Sequence, residues 1–344
     1  MIAYISFNIS VIIKARYASH PSQKSIAHLD LQSFVVDSNR KKLKRQKLPN
    51  LENIDWPKRE FLSLPMGAPG SREVPLKPHF SRGQMRITWK LFSIFEDGME
   101  ELGLSDKWMI YAGSLIGSLR HHDITPWDDD LDVLVDFEVR PMLWKKFSTL
   151  APKIIIGEAG LRDKLYAKLI EPSNTARDVE GSRKLSAYNW GWPSIDIGYF
   201  LSNATHIQER ASSYGKRDIH PKSDVFPLIF RPFYKRWVPA PRHAFSVLTQ
   251  SYPKDFHCSS FGWSHPFENG MRKRSIACTK LARRYAFVEH SPFYGKGQDK
   301  AGSLSDLIWV RERLIRGGQI IHEIPLVAHR VEAHLDTYKL RVNS

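Results

Sequence analysis

Residues 121–136, HHDITPWDDDLDVLVD, place four aspartates in five positions: Asp128, Asp129, Asp130 and Asp132. Val133, Leu134 and Val135 follow at once and read as the start of a buried strand. Carboxylates crowded on the lip of such a strand repel one another unless positive charge stands between them. A metal ion or a set of Arg and Lys side chains supplies that charge. Alternate side chains of a strand share a face. Asp128, Asp130 and Asp132 share one if the strand begins that early, and Asp129 then points away. Two alternate carboxylates lie roughly 7 Å apart along a strand, so each can take one side of a divalent cation. Mg²⁺ binds carboxylate and phosphate oxygens at about 2.0–2.1 Å, and Mn²⁺ prefers the same ligands. A third carboxylate, about 5 Å away on a neighbouring strand, would complete the site. Asp196 offers one, alone between Ile195 and Ile197. Burying it costs several kcal/mol unless it is paired or metal-bound, and a salt bridge is the equal alternative.

These residues need elements to hold them. Ile87, Leu91, Ile94, Phe95, Met99 and Leu102 recur at helical spacing before Gly103, which predicts a helix. WMIYAGS (108–114) reads as a short buried strand entering a Gly113-Ser114 turn. SLIGSLRHH (114–122) reads as a helix with Ser114 as its N-cap. A strand is expected at 130–137 and a helix at 139–150. KLYAKLIEP (164–172) and SIDIGYFL (194–201) are expected as further strands of a mixed sheet. Residues 231–253 predict a strand, a Pro-Ala-Pro turn and a helix. In the tail, Leu326, Val327, Val331 and Leu335 fall on one helical face and predict a packing helix. HEIPL (322–326) begins like a zinc-protease motif, but Leu326 replaces the second His and Pro325 breaks the helix.

The fold class expected is α/β (α+β), a mixed β-sheet flanked by helices. Three segments are expected: a poorly structured basic lead-in over 1–80, a catalytic domain over 81–270, and a basic, helical extension over 271–344. The formal charge of +15 suggests anionic partners. Part of it lies in one run, Arg40 to Lys47, which reads as a solvated tail. Two cysteines, Cys258 and Cys278, exclude a four-cysteine zinc site and leave one disulfide open. The apolar start, MIAYISFNISVII, is shorter than the about 20 residues a membrane span needs. It lacks a basic n-region, yet membrane association through it is an expectation. Sequons occur at Asn8 and Asn203.

Gly113-Ser114 as a dipeptide carries little weight. As strand, Gly-Ser turn, helix and then Asp-x-Asp on the next strand, the order of parts resembles the nucleotidyltransferase fold. YAGSLIGSLRHHDITPWDDDLDVLV closely resembles the core motif of the LicD family, which includes fukutin and fukutin-related protein. The shared elements are Gly113-Ser114, Arg120-His121 and Pro126-Trp127-Asp128-Asp129-Asp130-Leu131-Asp132. WGWPSIDIGYF and the Pro-rich block near 239–252 extend the resemblance over about 85 to 265. Many bacterial members carry a basic residue and Gly after the Arg-His pair; His122 and Asp123 stand there, a form commoner among animal members. The cysteine zinc element of fukutin-related protein has no counterpart.

The resemblance implies transfer of an alcohol phosphate, of phosphocholine or ribitol phosphate type, from a CDP-activated donor to a glycan hydroxyl. Gly113 and Ser114 would hold donor phosphates at a helix N-terminus. Arg120 would reach a phosphate or pair with the aspartates. His121 is a lesser candidate, since a lone His is more often structural. Asp130 and Asp132 are the expected metal ligands and catalytic residues. Asp196 is the third, and a candidate base, and Asp128 a weaker metal candidate. Tyr188, Trp190 and Trp192 could stack on sugar or cytosine or serve as core. Two other readings stand beside this one. One is a nucleotidyltransferase acting on RNA or a small molecule, although no RNA-binding module follows the core. The other is a catalytically silent glycan-binding relative. By analogy with animal relatives, the Golgi and secretory pathway are the expected location.

Overall fold

The computed structural model describes residues 30–37, 48–62, 76–171, 181–212, 218–252, 257–260, 262–293 and 306–342. The apolar start, Asn8 and the Arg40–Lys47 run lie outside them.

The first long helix, α1 (Arg82–Glu101), starts at a capping box in which Ser81 and Gln84 satisfy each other's backbone N–H groups. It ends before Gly103, whose φ of 72° is the left-handed stop expected after a helix. Its buried face carries Ile87, Leu91, Phe92, Phe95 and Met99. Phe95 meets Trp108 edge-on at 5.0 Å, which seats α1 against the sheet.

That sheet follows from β1 (Trp108–Ile110), α2 (Ala112–His121), β2 (Asp132–Asp136), α3 (Arg140–Ser148), β3 (Ile154–Ala159), β4 (Arg162–Ala167) and β5 (Ser194–Ser202). Its strand order is β1-β2-β5-β4-β3, and two further strands, β6 (His206–Glu209) and β7 (Ile219–Pro221), extend it from the far end of β5. Only β2 and β5 run parallel; the other pairs are antiparallel. The sheet is mixed and flanked by helices, as the sequence predicts. The Pro-rich block forms a hairpin, β8 (Ile229–Phe233) and β9 (Arg236–Ala240), followed by α4 (Ala244–Ser251).

Two stretches differ from expectation. No α-helix forms over residues 326–335. Residues of β10 (Phe287–Pro292), β11 (Leu307–Arg316) and β12 (Gln319–His329) make a three-stranded antiparallel sheet, and a short 3-10 turn follows at Arg330–His334. Gly317 and Gly318, with φ of 59° and 81°, make the two-residue turn that closes the β11–β12 hairpin. Four apolar residues at helical spacing are outweighed by a long partner strand, and Pro325 is tolerated in strand conformation. Parts of the lead-in pack on the core: Phe34 is fully buried between Trp237 and Trp309, and Trp56 packs on His322. No helix among the described residues is long and apolar enough to cross a membrane.

Candidate active site

β1 leaves the core at Ile110, and the chain turns at once into α2. Ala112 takes a left-handed φ of 45°, which makes the turn abrupt. The helix starts two residues before Ser114, so Ser114 is not its N-cap. The Ser114 hydroxyl instead accepts the Asp132 backbone N–H at 2.8 Å. This bond ties the helix start to the first residue of β2. Farther along α2, Gly117 lets the 123–125 segment pack close: a Cβ there would stand 2.3 Å from the Asp123 carbonyl oxygen. The loop that carries the aspartates depends on that contact.

β2 begins at Asp132, so Asp128, Asp129 and Asp130 arrive on a loop and not on a shared strand face. The parallel register sets Asp132 directly beside Asp196 on β5. Asp130 closes the group. Asp130, Asp132 and Asp196 each bring a carboxylate oxygen within 4.8 Å of the others. Asp128 lies outside that triad. Its Oδ1 accepts the Asp129 N–H, and it hydrogen-bonds Asp130.

Three basic side chains meet the carboxylates: Lys164, His265 and His79, the last 3.5 Å from Asp129. Lys164 on β4 is buried, and its Nζ donates to both oxygens of Asp196 at 2.8 and 2.9 Å. Asp196 therefore has the salt bridge of one expectation and the cluster of the other. With both oxygens engaged, it is better placed to hold charge than to take a proton. His265 comes from a distant hairpin. Its Nδ1 donates to Asp129 Oδ1 at 2.9 Å, and its Nε2 lies 3.3 Å from Asp130 and 3.8 Å from Asp196. Asp129, His265 and Asp130 form a second group with metal-ligand spacing. Sequence reasoning missed His265, Lys164 and Glu268, which ion-pairs with Lys164 at 3.2 Å. The His265-Pro266-Phe267-Glu268 turn, flanked by the two cysteines, is the local signal that could have marked this hairpin.

Protonation directions follow from this crowding. Burial, then the charges of Asp130 and Asp129, push the Asp128 carboxyl well up. Burial, then Asp130 and Asp196, do the same to Asp132. Burial also raises Asp130. At Asp196 burial is outweighed by Lys164 and His265, and its carboxyl is held below the usual range. Burial of His265 is overcome by Asp130, Asp129 and Asp196, which push it up to about 10. Thus Asp128 and Asp132 remain the under-neutralised members. A buried oxygen-rich set short of positive charge fits a hard divalent cation.

The other predicted residues fall into two groups. Gly113 is buried in the first turn of α2, beside Ser114. Arg120 and His121 look elsewhere. Arg120 Nε donates to the Thr337 carbonyl at 2.8 Å. His121 donates from Nδ1 to the Ala286 carbonyl at 2.7 Å and packs on Trp127 and Phe287. Both thus bind the C-terminal segment to the end of α2. Trp192 is buried against Phe80 and donates to the Asp129 carbonyl at 2.6 Å. Trp190 remains half-buried, with Lys164 Nζ 5.6 Å from its ring centre and the Tyr188 ring tilted against it at 4.5 Å.

Residues 105–243 match the family model described as LicD/FKTN/FKRP, nucleotidyltransferase domain. The chain carries a LicD-family domain. The match spans β1, α2, the aspartate loop, β2, β5 and the β8–β9 hairpin, and therefore every carboxylate of the triad. His265 lies beyond it. Family membership points to a phosphotransferase-type function on glycans. No curated protein matches this chain.

Proposed function

We propose that this LicD-family domain is a metal-dependent transferase that moves an alcohol phosphate, of phosphocholine or ribitol phosphate type, from a CDP-activated donor to a glycan hydroxyl. The observation that supports it is the triad: Asp132 and Asp196 are paired across parallel strands, Asp130 joins them, and Ser114 ties them to the start of α2. Asp130, Asp132 and Asp196 would hold Mg²⁺ or Mn²⁺, which would offset the charge of the donor phosphates. Gly113 and Ser114 would present the first turn of α2 to the donor. Lys164 keeps Asp196 ionised and fixes its orientation. Trp190 offers a half-buried aromatic face beside Lys164 for a sugar or cytosine ring. Arg120 and His121 take no part in this reading; they anchor the C-terminal segment. A secretory or Golgi location is part of it, supported by the Cys258–Cys278 disulfide and by the exposed sequon at Asn203.

A second reading draws on Lys164 and His265. These cations already stand among the carboxylates, as they would in a catalytically silent glycan-binding relative. Calorimetry separates the two. CDP-choline and CDP-ribitol are titrated with and without Mg²⁺ or Mn²⁺, against the wild type and an Asp130→Asn, Asp132→Asn variant. Metal-dependent binding of one donor, lost in the folded variant, is the expected result. Absence of metal and donor binding by the folded wild type would leave the silent reading.

A further inference from the structure

The hairpin that delivers His265 has an outer face that the site does not use. Residues 258–259 pair with 275–276, Cys258 is bonded to Cys278, and Trp263–Ser264 pair with Asn269–Gly270. The turn between them is His265, Pro266, Phe267 and Glu268. Its inner residues are committed: His265 meets Asp129 and Asp130, and Glu268 meets Lys164 and Trp190. Its outer residues are Trp263, Phe267 and Met271, exposed by 43 %, 49 % and 49 %. Eight large hydrophobic residues are this exposed among the described residues, and these three fall within nine positions of one hairpin. Scattered apolar residues on a surface are ordinary, whereas a local concentration marks an interaction face. Arg183 covers part of Phe267.

Charge decides what the face meets. Met271 runs directly into Arg272, Lys273 and Arg274, all exposed. From Cys258 to Cys278 the basic residues are Arg272, Lys273 and Arg274, and the one acidic residue is Glu268, which is turned inward to Lys164. Aromatic and Met side chains beside a basic run suit the boundary of an anionic bilayer. The rings enter the headgroup region while Arg and Lys remain with the phosphates. A soluble anionic polymer would engage the basic run but leave Phe267 and Met271 in water.

We propose that the 258–278 hairpin is a membrane-docking element that seats Trp263, Phe267 and Met271 in the interface of an anionic lipid surface. This would set the carboxylate cluster at the membrane, with His265 and Glu268 as the link between docking and the site. The docking surface does not depend on the transfer chemistry and is tested separately from it. The full chain is sedimented with vesicles of phosphatidylcholine, with and without phosphatidylserine, alongside Phe267→Ser, Met271→Ser and Arg272→Glu, Lys273→Glu double variants. Both pairs are exposed, and unchanged circular dichroism checks their folding. The expected result is binding that requires phosphatidylserine, weakens with salt, and falls about tenfold or more in each double variant. No binding of the wild type to anionic vesicles overturns the proposal. So does equal binding by the Phe267→Ser, Met271→Ser variant, which would assign contact to another segment. Loss in the charge variant alone, with inorganic polyphosphate competing fully, would identify a soluble polyanion as the partner and also overturn it.

Discussion

Two buried clusters of charge lie within this chain, and they are built on opposite rules. One joins the β8–β9 hairpin to the C-terminal sheet. Arg231, fully buried, donates to Glu312 at 2.5 Å and to Glu332 at 3.2 Å. His122 and His290 also contact Glu312, at 2.7 and 3.1 Å, and His322 stacks on His122. Here each carboxylate has a cation in hydrogen-bond contact. The other cluster is the aspartate group. Asp128, Asp129, Asp130, Asp132 and Asp196 crowd together, while Lys164 and His265 reach only some of them. A fold that needed only stability would balance both clusters alike, because an uncompensated buried charge is costly. The imbalance at the aspartates marks the place where positive charge is meant to arrive from outside.

The contrast can be broken first at its stable end. Arg231→Met should leave Glu312 and Glu332 buried without their guanidinium. A loss of about 3–5 kcal/mol in chemical denaturation is expected. A loss below about 1 kcal/mol would mean the network is not held by Arg231.

Gly117→Ala tests the scaffold of the unbalanced end without touching a charge. Its Cβ would meet the Asp123 carbonyl oxygen, a backbone atom that cannot swing aside. Overpacking of this kind costs about 1–3 kcal/mol. The accompanying shift of the aspartate loop should appear as weakened Mn²⁺ binding by calorimetry.

His121, at the end of α2, supplies a pH test. Burial pushes its imidazole down to about 3 from an ordinary 6.5. The unfolded chain therefore binds a proton at this residue through the window from about 6.5 to 3, and the folded chain does not. Stability contributed by neutral His121 is complete above that window and declines as pH falls through it. Comparing denaturation at several pH values, His121→Phe should flatten the decline by about 1.4 kcal/mol per pH unit. Parallel profiles would show that His121 is protonated in the fold.

The smallest effect has the opposite sign. Asp132→Asn removes one under-neutralised carboxylate beside Asp130 and Asp196. Thermal unfolding without added metal should show no loss, or a gain of up to about 1 kcal/mol. A loss of 2 kcal/mol or more, roughly that of a broken buried pair, would place Asp132 among the balanced groups.

Much of the site was legible in the chain. Asp130 and Asp132 stand out because four carboxylates in five positions border an apolar strand. Asp196 stands out because it is alone in one. Strand spacing sufficed to expect Asp132 and Asp196 side by side, as their register has them, but Asp130 joins them from a loop and not through a period of 2. The strand-to-helix turn was also legible, although it falls at Ala112 with Gly113 and Ser114 already in the helix, and the use of Ser114 was not: a good N-cap residue became the acceptor for a strand N–H instead. Arg120 and His121 sit beside the motif in sequence, yet their hydrogen bonds go to Thr337 and Ala286, more than 160 residues away.

By itself the sequence determined the local terms: apolar periods, the α1 cap, the turn glycines and the acidic run that no core would accept unpaired. These depend on neighbours a few residues apart. The tertiary structure alone decided which charges meet. Lys164 reached Asp196 through strand order, and His265 reached Asp129 and Asp130 through a hairpin held by Cys258 and Cys278. Residues 319–329 became strand because β11 offered a complete partner. Such choices are set by non-local pairing and by the burial of charge, and their energies exist only once distant segments exclude water from the same place.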